Sequence, residues 1–353
     1  MVRQIDIARK LGVSLAVVSR ALNPERGKSN NLSINTIERI RQAAREMGYR
    51  KNLLAVSLKK GATRRIALVV NTLDNYMELI RPIQDYCREN SYDLVLFNLG
   101  ENGSNVRRTF EYLIQGGFDA AISFLYTWHS IDDLAREFLT MNKPLVLVGA
   151  PVDTPALPGL HRIYVNMEEA LKDALKHLAA LGHRKIVCCQ AAGVDGICED
   201  EKLRILKKLL PGSGFDCDCE LAFPCDISPD QNRMRDGYCA AEKFLKTRPE
   251  VTACFGYNDQ FSIGFIRGLR DRGKLVPQDI SVIGSDCNEF SRYMIPSLST
   301  IDLCSKKLAE VAIERLFGNL SSMDFSVVPE ELRFAGTFIS GESSGAFSLN
   351  QMK

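Results

Sequence analysis

No apolar run in the 353 residues is long enough to cross a membrane; the longest, such as 66–70 and 144–148, are strand-sized, far short of the roughly 20 residues a spanning helix needs. The opening residues Met1-Val2-Arg3-Gln4-Ile5-Asp6 have no apolar core followed by small residues. They do not read as a signal peptide, and the expected address is cytoplasmic. The first apolar strand runs into Val70-Asn71-Thr72-Leu73 without a glycine, which removes the dinucleotide-binding G-x-G-x-x-G. A nucleophile elbow and a metal-spaced pair are also missing, so neither an enzyme, a cofactor nor a metal is expected. Tryptophan occurs once, at Trp128, and internal repeats and low-complexity tracts are absent.

Cysteine, by contrast, is plentiful. Of eleven, seven (Cys188, Cys189, Cys198, Cys217, Cys219, Cys225 and Cys239) fall in one stretch. Oxidised pairing needs a secretion route that this N-terminus does not provide. Cys217-Asp218-Cys219 lacks the second C-x-x-C or His pair of a zinc site, so the thiols read as reduced and partly buried. With 45% hydrophobic and 25% charged residues, the chain excludes disorder, collagen and small disulfide scaffolds.

The net charge of +2 conceals an uneven distribution. Residues 1–65 hold 15 lysines and arginines against four acids, a net +11, which leaves −9 on the rest. A compact basic module at one end is the electrostatic footprint of nucleic-acid binding.

The first 50 residues read as short helices. Ile7, Ala8 and Leu11 share one face of a helix over 5–11, interrupted at Gly12. Ser14 is an N-cap for a second helix to about Leu22, with Val18, Ala21 and Leu22 inside. Ser33 starts a longer helix with Ile37, Ile40, Ala44 and Met47 inside, closed by Gly48. From Arg65, five-residue apolar strands alternate with helices, the pattern of parallel sheets with crossover helices. Strands are expected at 66–70, 93–97, 120–124, 144–148, 185–189, 220–223, 253–257 and 281–284, and helices at 77–90, 106–115, 131–141, 167–181, 201–210, 236–247 and 260–271. Eight such strands make two doubly wound halves. Ligands in such sheets sit beyond the carboxyl ends of the strands, where Asn71, Asn98, Gln190, Asn258 and Asp286 follow, with Ser123 inside its own strand end.

Helix, glycine turn, helix is the helix-turn-helix unit, whose second helix enters the major groove. With Val18 and Leu22 needed inside, the outward face is Leu15, Ala16, Ser19 and Arg20. Arg20 has two readings, a bidentate fork on guanine or a phosphate contact. Leu15 and Ala16 offer apolar contact to thymine methyls, while Ser14, Ser19 and Asn23 suit phosphate oxygens.

The run from Arg3 to Leu22, with Ile7-Ala8-Arg9-Lys10-Leu11-Gly12-Val13-Ser14 and Val18-Ser19-Arg20-Ala21-Leu22-Asn23, resembles the N-terminal signature of the LacI family of bacterial transcription regulators. Met47-Gly48-Tyr49-Arg50-Lys51-Asn52 resembles the end of that family's third helix, and 52–61 (NLLAVSLKKG) its hinge. His177-Leu178 with Leu181-Gly182-His183-Arg184 resembles the family's HLxxLGHR. Later landmarks recur in order at 253–264 (ACFGYNDQFSIG), 276–284 (VPQDISVIG) and 296–301 (PSLSTI).

The resemblance implies an α/β chain with an N-terminal helix-turn-helix DNA-binding domain (1–50) and a hinge helix and linker (51–64). A periplasmic-binding-protein-like core of two doubly wound parallel-sheet subdomains would follow, the first at 65–161 and 296–324 and the second at 162–295 and 325–342. A tail over 343–353 would lie outside. It implies a hinge helix that orders on DNA, with Ala55 and Leu58 among the contacts. Leu58 from each of two subunits would wedge into the minor groove; its other reading is a core or linker leucine.

In the cleft, the resemblance assigns Asp286 as the acid that accepts hydrogen bonds from a sugar hydroxyl or base, and Asn258, Asn71 and Tyr76 as polar and stacking contacts. Lys202 stands where an effector-binding Arg is common. Trp128 is either a sugar-stacking platform or dimer-surface packing. Asp259 reads as a helix N-cap in preference to a ligand residue. Departures from the family pattern are Val17 for the usual Thr, Val56 for Arg, a longer loop over 24–32, Val148 for a polar residue, Asn232 for an aromatic, and a shortened run at Asn75-Tyr76.

The implied function is a sequence-specific DNA-binding transcriptional regulator, commonly a repressor. It would be a homodimer on a palindromic double-stranded operator, controlled by a small-molecule effector, a carbohydrate or its derivative, with no membrane role. The end of the chain lacks apolar heptads, so a dimer is the default over a coiled-coil tetramer. The alternative, a sugar receptor of the periplasmic type, is opposed by the basic head and the missing signal peptide.

Overall fold

The computed structural model describes residues 2–22, 32–50, 62–70, 77–99, 105–124, 131–149, 154–191, 201–216, 221–228, 232–322, 324–326 and 328–347. They form two compact units that divide between Thr63 and Arg64.

In the first unit, α1 (Gln4–Leu11) ends where Gly12 adopts φ +63°, a left-handed conformation that glycine reaches without a Cβ penalty. Ser14 caps α2 (Leu15–Ala21), its hydroxyl accepting from the Val17 N–H. Ser33 caps α3 (Ile34–Glu46) through the Thr36 N–H. Ile7, Val18 and Ile40, one from each helix, are fully buried together with Ala8, Ala21, Ala43 and Ala44. Each large side chain removed from water contributes about 1.5–3 kcal/mol, which a unit this small needs. Two arginines of α3 lock the turn from below: Arg39 Nη2 donates to Leu11 O at 3.1 Å, and Arg41 Nε to Ala21 O at 3.3 Å. Both satisfy helix-terminal carbonyls with cations, the favourable sign at a C-terminus.

The second unit runs β1 (Arg65–Val70), α4 (Met77–Glu89), β2 (Asp93–Asn98), α5 (Val106–Gln115), β3 (Ala120–Phe124), α6 (Asp132–Thr140), β4 (Leu145–Val148), β5 (Leu160–Asn166) and α7 (Glu168–Ala180). It continues with β6 (Ile186–Ala191), α8 (Glu201–Leu209), β7 (Ala222–Cys225), α9 (Arg233–Thr247), β8 (Ala253–Phe255), α10 (Asp259–Asp271), β9 (Ser281–Ile283) and α11 (Glu289–Tyr293). Last come β10 (Thr300–Asp302), α12 (Ser305–Ser322), β11 (Leu332–Ala335) and β12 (Thr337–Ile339). One sheet has six parallel strands in the order β11-β5-β4-β3-β1-β2; a second has four, β7-β6-β8-β9. These are the two doubly wound halves expected from the strand–helix alternation.

Strand β1 explains why the apolar runs read so clearly. Ile66, Leu68 and Val70 face a layer with α4 and α12, while Ala67 and Val69 face α5 and α6. Strands covered on both faces are apolar at every position.

The chain crosses between the halves after β5, after β10 and after β11. The crossings gather tightly: Gly336 N donates to Asn166 O at 2.8 Å, and Cys304 Sγ to Ala335 O at 3.4 Å.

This topology corrects the expected partition in three places. The boundary at 161/162 falls inside β5, whose pairing with β4 keeps it in the first sheet through Asn166. Residues 300–302 belong to the second half, because β10 pairs with β12 and Ser299 bridges Ile283. Strand β11, expected in the second half, pairs with β5 in the first. Nor do residues 343–347 of the expected tail lie outside the fold; 348–353 lie outside the described residues. Ser343 Oγ donates to Val282 O at 2.6 Å, Gly345 N donates to the Ser281 hydroxyl, and Phe347 N donates to Leu181 O at 2.8 Å.

Among the described cysteines, Cys87, Cys188, Cys189, Cys225, Cys254 and Cys287 are buried thiols; Cys198, Cys217 and Cys219 lie outside the described residues. No helix among the described residues is long and apolar enough to cross a membrane.

Helices α9 and α10 cross at backbone contact. A Cβ on Gly264 would fall on the Met234 carbonyl oxygen, and one on Gly237 on that of Phe261. Gly264→Ala is therefore expected to destabilise the core by about 1–3 kcal/mol or more, read as a lower urea midpoint. Gly318→Ala on α12, where a Cβ meets nothing within 4 Å, should instead be neutral or stabilising by up to about 1 kcal/mol.

Candidate functional site

Two surfaces carry the chemistry. On the first unit, Ser14, Leu15, Ala16, Ser19 and Arg20 are all exposed while Val18 and Ala21 are buried. Leu15 is 45% exposed although it is a leucine at the start of a helix, the position from which recognition helices meet base edges. The Ser14 hydroxyl spends one lone pair on the Val17 N–H and keeps its own hydrogen for an acceptor outside the helix. Val17 is half-buried against the three-helix core. Asn23, Ala55 and Leu58 lie outside the described residues.

The second surface is the mouth beyond the carboxyl ends of β8 and β9. There Asn258 caps α10, its Oδ1 accepting from Phe261 N at 2.9 Å. Asp259, read above as the cap, is instead the first helical residue. Its carboxylate is fully buried and accepts from Thr300 Oγ1 (2.6 Å), Ser291 Oγ (2.6 Å) and Asn288 N (2.8 Å). Burial holds its carboxyl above the usual range, against the pull of those three donors and of Lys202.

Lys202 reaches the same place from α8. It is buried, with Nζ donating to Gly256 O at 2.6 Å and to Tyr257 O at 2.8 Å. Its ammonium thus braces the carbonyls at the end of β8, a structural task that the sequence did not suggest. Beside it, Arg233 is ion-paired with Asp236 at 2.6 Å and lies 5.7 Å from the Tyr257 ring centre.

Asp286 stands in the loop between β9 and α11 with φ +108°, and Cys287 follows with φ +56°. Two successive non-glycine residues in this region cost of order 1–3 kcal/mol each and persist where surrounding structure over-determines them. Here Asp286 N donates to Ile301 O at 3.0 Å, and Cys287 N to Thr300 Oγ1 at 3.3 Å. Among the described residues no hydrogen bond reaches the Asp286 carboxylate. Burial, and then the Asp259 charge, push its carboxyl well above the ordinary carboxylate range, while Lys202 pulls it down.

A carboxyl raised by folding adds stability below its unfolded value, and that contribution is lost as pH rises through the folded value. Asp286→Asn is accordingly expected to raise the neutral-pH melting temperature. The gain should vanish in acid, where both forms are uncharged; a lower melting temperature at pH 7 would contradict this electrostatic account.

Lys202, Asn258 and Asp286 therefore converge on one mouth, whereas Asn71, Tyr76 and Trp128 lie outside the described residues. The other half reaches this loop through Glu78 at the start of α4, whose Oε1 accepts from Glu289 N at 2.9 Å. Neither Glu78 nor the Asp259 contacts were legible, because their partners are distant in sequence.

Comparison with known proteins accords with this geometry. Residues 5–52 match the model of bacterial regulatory proteins of the lacI family, and residues 175–344 match a periplasmic binding protein-like domain. The chain is 26% identical to catabolite control protein A of Priestia megaterium over 335 residues, 93% of this chain and 97% of that protein. It is 27% identical to the HTH-type transcriptional repressor PurR of Vibrio atlanticus, covering 90% and 92% of the two chains. Among solved structures, the lac repressor dimer bound to operator and the anti-inducer ONPF has the same fold, with a TM-score of 0.79, 21% identity and coverage of 98% and 99%. Members of this family are transcriptional regulators rather than enzymes. With a helix-turn-helix head and a two-half binding-protein core in one chain, this protein belongs to the LacI family of bacterial transcriptional regulators.

Proposed function

We propose that this chain acts as a homodimeric repressor that binds a two-fold symmetric DNA operator and is controlled by a small molecule, a sugar or sugar derivative, held between the core halves. The observation that carries the reading is the pairing of one exposed face, Ser14 at the cap and Leu15, Ala16, Ser19 and Arg20 on α2, with a strained mouth at Asp286 in the same chain. The +11 head supplies phosphate affinity, and it is what a sugar receptor without a DNA role would not need. Asn23, Ala55 and Leu58 complete the proposed DNA contacts; Asn71, Tyr76, Trp128, Lys202, Asn258 and Asp286 form the proposed effector set.

The proposed dimer face is the apolar surface after α11. Tyr293 is 79% and Ile295 86% exposed, and Phe290 and Leu275 are exposed beside them. Ile295 and Leu275 wall a shallow pocket with Ile266, Val276 and Pro296. Such a contiguous apolar surface marks an association site, and an isologous contact would present two heads to two half-sites.

The experiment is a thermal-shift screen of the full chain over sugars, sugar acids and nucleobases, followed by operator titration with each compound that raises the melting temperature. A compound that stabilises wild type, changes its operator affinity, and does neither to Asp286→Asn supports the reading. Compounds that bind and leave operator affinity unchanged would overturn the regulatory part of it.

A further inference from the structure

The loop that carries Asp286 also carries the proposed dimer face, and one buried carboxylate holds both. Asp259 Oδ2 accepts from Asn288 N and from Ser291 Oγ, the latter inside α11. Its Oδ1 accepts from Thr300 Oγ1 on β10. Thr300 Oγ1 in turn accepts from Cys287 N, so the carboxylate decides which way that hydroxyl points. A hydroxyl turned to donate to Asp259 leaves its lone pairs for the Cys287 N–H. The backbone closes the clasp, with Asp259 N donating to Ser285 O at 2.8 Å. Gly284 belongs to it as well, since a Cβ there would fall on Asp259 Oδ1.

We infer that Asp259 is a positioning residue: it fixes the backbone over 285–291 and so ties the Asp286 carboxylate, on the cleft side, to α11 and its exposed apolar residues. Asp259 is fully buried, as are Ser291 and, nearly so, Thr300 and Asn288. The Glu289 N–H that meets Glu78 of the other half lies in the middle of the clasped segment, so the same carboxylate sets one contact between the halves.

The carboxylate is needed because three donors converge on two oxygens. An asparagine has one acceptor oxygen, and its amide turns two N–H groups toward donors on the other side. Asp259→Asn keeps size and shape but sets an N–H against at least one of the three donors, so a merely structural role predicts a loss of stability spread evenly through the second half. A positioning role predicts local release.

The inference rests on reading Asp286 as the effector's acceptor and the surface after α11 as the dimer face. Its exchange readout uses neither, whereas the dissociation constant tests the dimer face and the Asp286→Asn response the effector site, so clasp and reading can fail separately. Hydrogen exchange would be followed on full-length wild type, Asp259→Asn and Thr300→Val, with the dimer dissociation constant measured by sedimentation. Thr300→Val breaks the relay to Cys287 while leaving Asp259 with its other two donors. The expected result in both variants is exchange over 285–294 faster by about tenfold or more, a dissociation constant raised by a similar factor, and unchanged protection in β6 and β8. Unchanged exchange over 285–294, or exchange that rises evenly through the second half, would overturn the inference. Local release combined with a small-molecule response that survives Asp286→Asn would uphold the clasp and remove the effector assignment.

Discussion

Arg20→Ala is expected to weaken binding to the proposed two-fold symmetric operator by about 2–6 kcal/mol, because each of two half-sites would lose the proposed bidentate guanine contact, worth about 1–3 kcal/mol. The guanidinium is exposed on α2, and the helix beneath it is held by Val18 and Ala21 in the core. Truncation therefore removes a reader without disturbing the fold. Non-specific binding and its salt dependence should be nearly intact, since each phosphate contact contributes about 0.9 to the logarithmic salt slope and none is removed. Operator and random duplex would be titrated over a range of salt concentrations. A uniform loss on both duplexes, with a shallower slope, would assign Arg20 to phosphate instead.

The second large effect concerns association. Tyr293→Asp combined with Ile295→Asp places two charges on residues that are 79% and 86% exposed in the single chain, so neither substitution strains the fold. On the proposed dimer face the charges would be desolvated without partners. The double variant is expected to sediment as a monomer with wild-type melting behaviour and to lose about 10²–10⁴-fold in operator affinity, the advantage of engaging a second linked half-site. A variant that remains dimeric moves the interface elsewhere on the molecule.

Much of the fold was legible because its signals are local. Gly12, Ser14 and Ser33 mark the ends of the head helices through their own backbone and hydroxyl chemistry, and strands covered on both faces read as apolar runs. Strand β5 has the sequence LHRIYVN and breaks that rule. It tolerates Arg162 because Glu331 approaches its guanidinium at 3.4 Å and Thr154 O accepts from it, partners far away or beyond a turn. Helix α12 was missed although Leu308, Ala312 and Leu316 recur at helical spacing. The expected tail was set apart from the core at Ser343, and serines and glycines such as those over 343–345 carry no hydropathy signal to say otherwise. Their burial depends on hydrogen bonds such as Ser344 Oγ to Ser299 Oγ at 2.6 Å.

The site divides in the same way. The exposed face of α2 followed from which residues its core needs, and the family resemblance placed Asp286. What holds Asp286 in its strained backbone comes from Thr300 and Ile301, and the Asp259 partners lie 29 to 41 residues away. Periodicity and spacing cannot report such contacts. Lys202 was assigned by position to an effector, and its two carbonyl partners give it a bracing role as well.

Selection of bound duplexes from a random-sequence pool by the purified full chain tests the central claim most directly. The account predicts one enriched family of two-fold symmetric sites, with each half-site showing a guanine preference that disappears when the selection is repeated with Arg20→Ala. A pool that emerges without enrichment, or with an asymmetric site indifferent to Arg20, would contradict it.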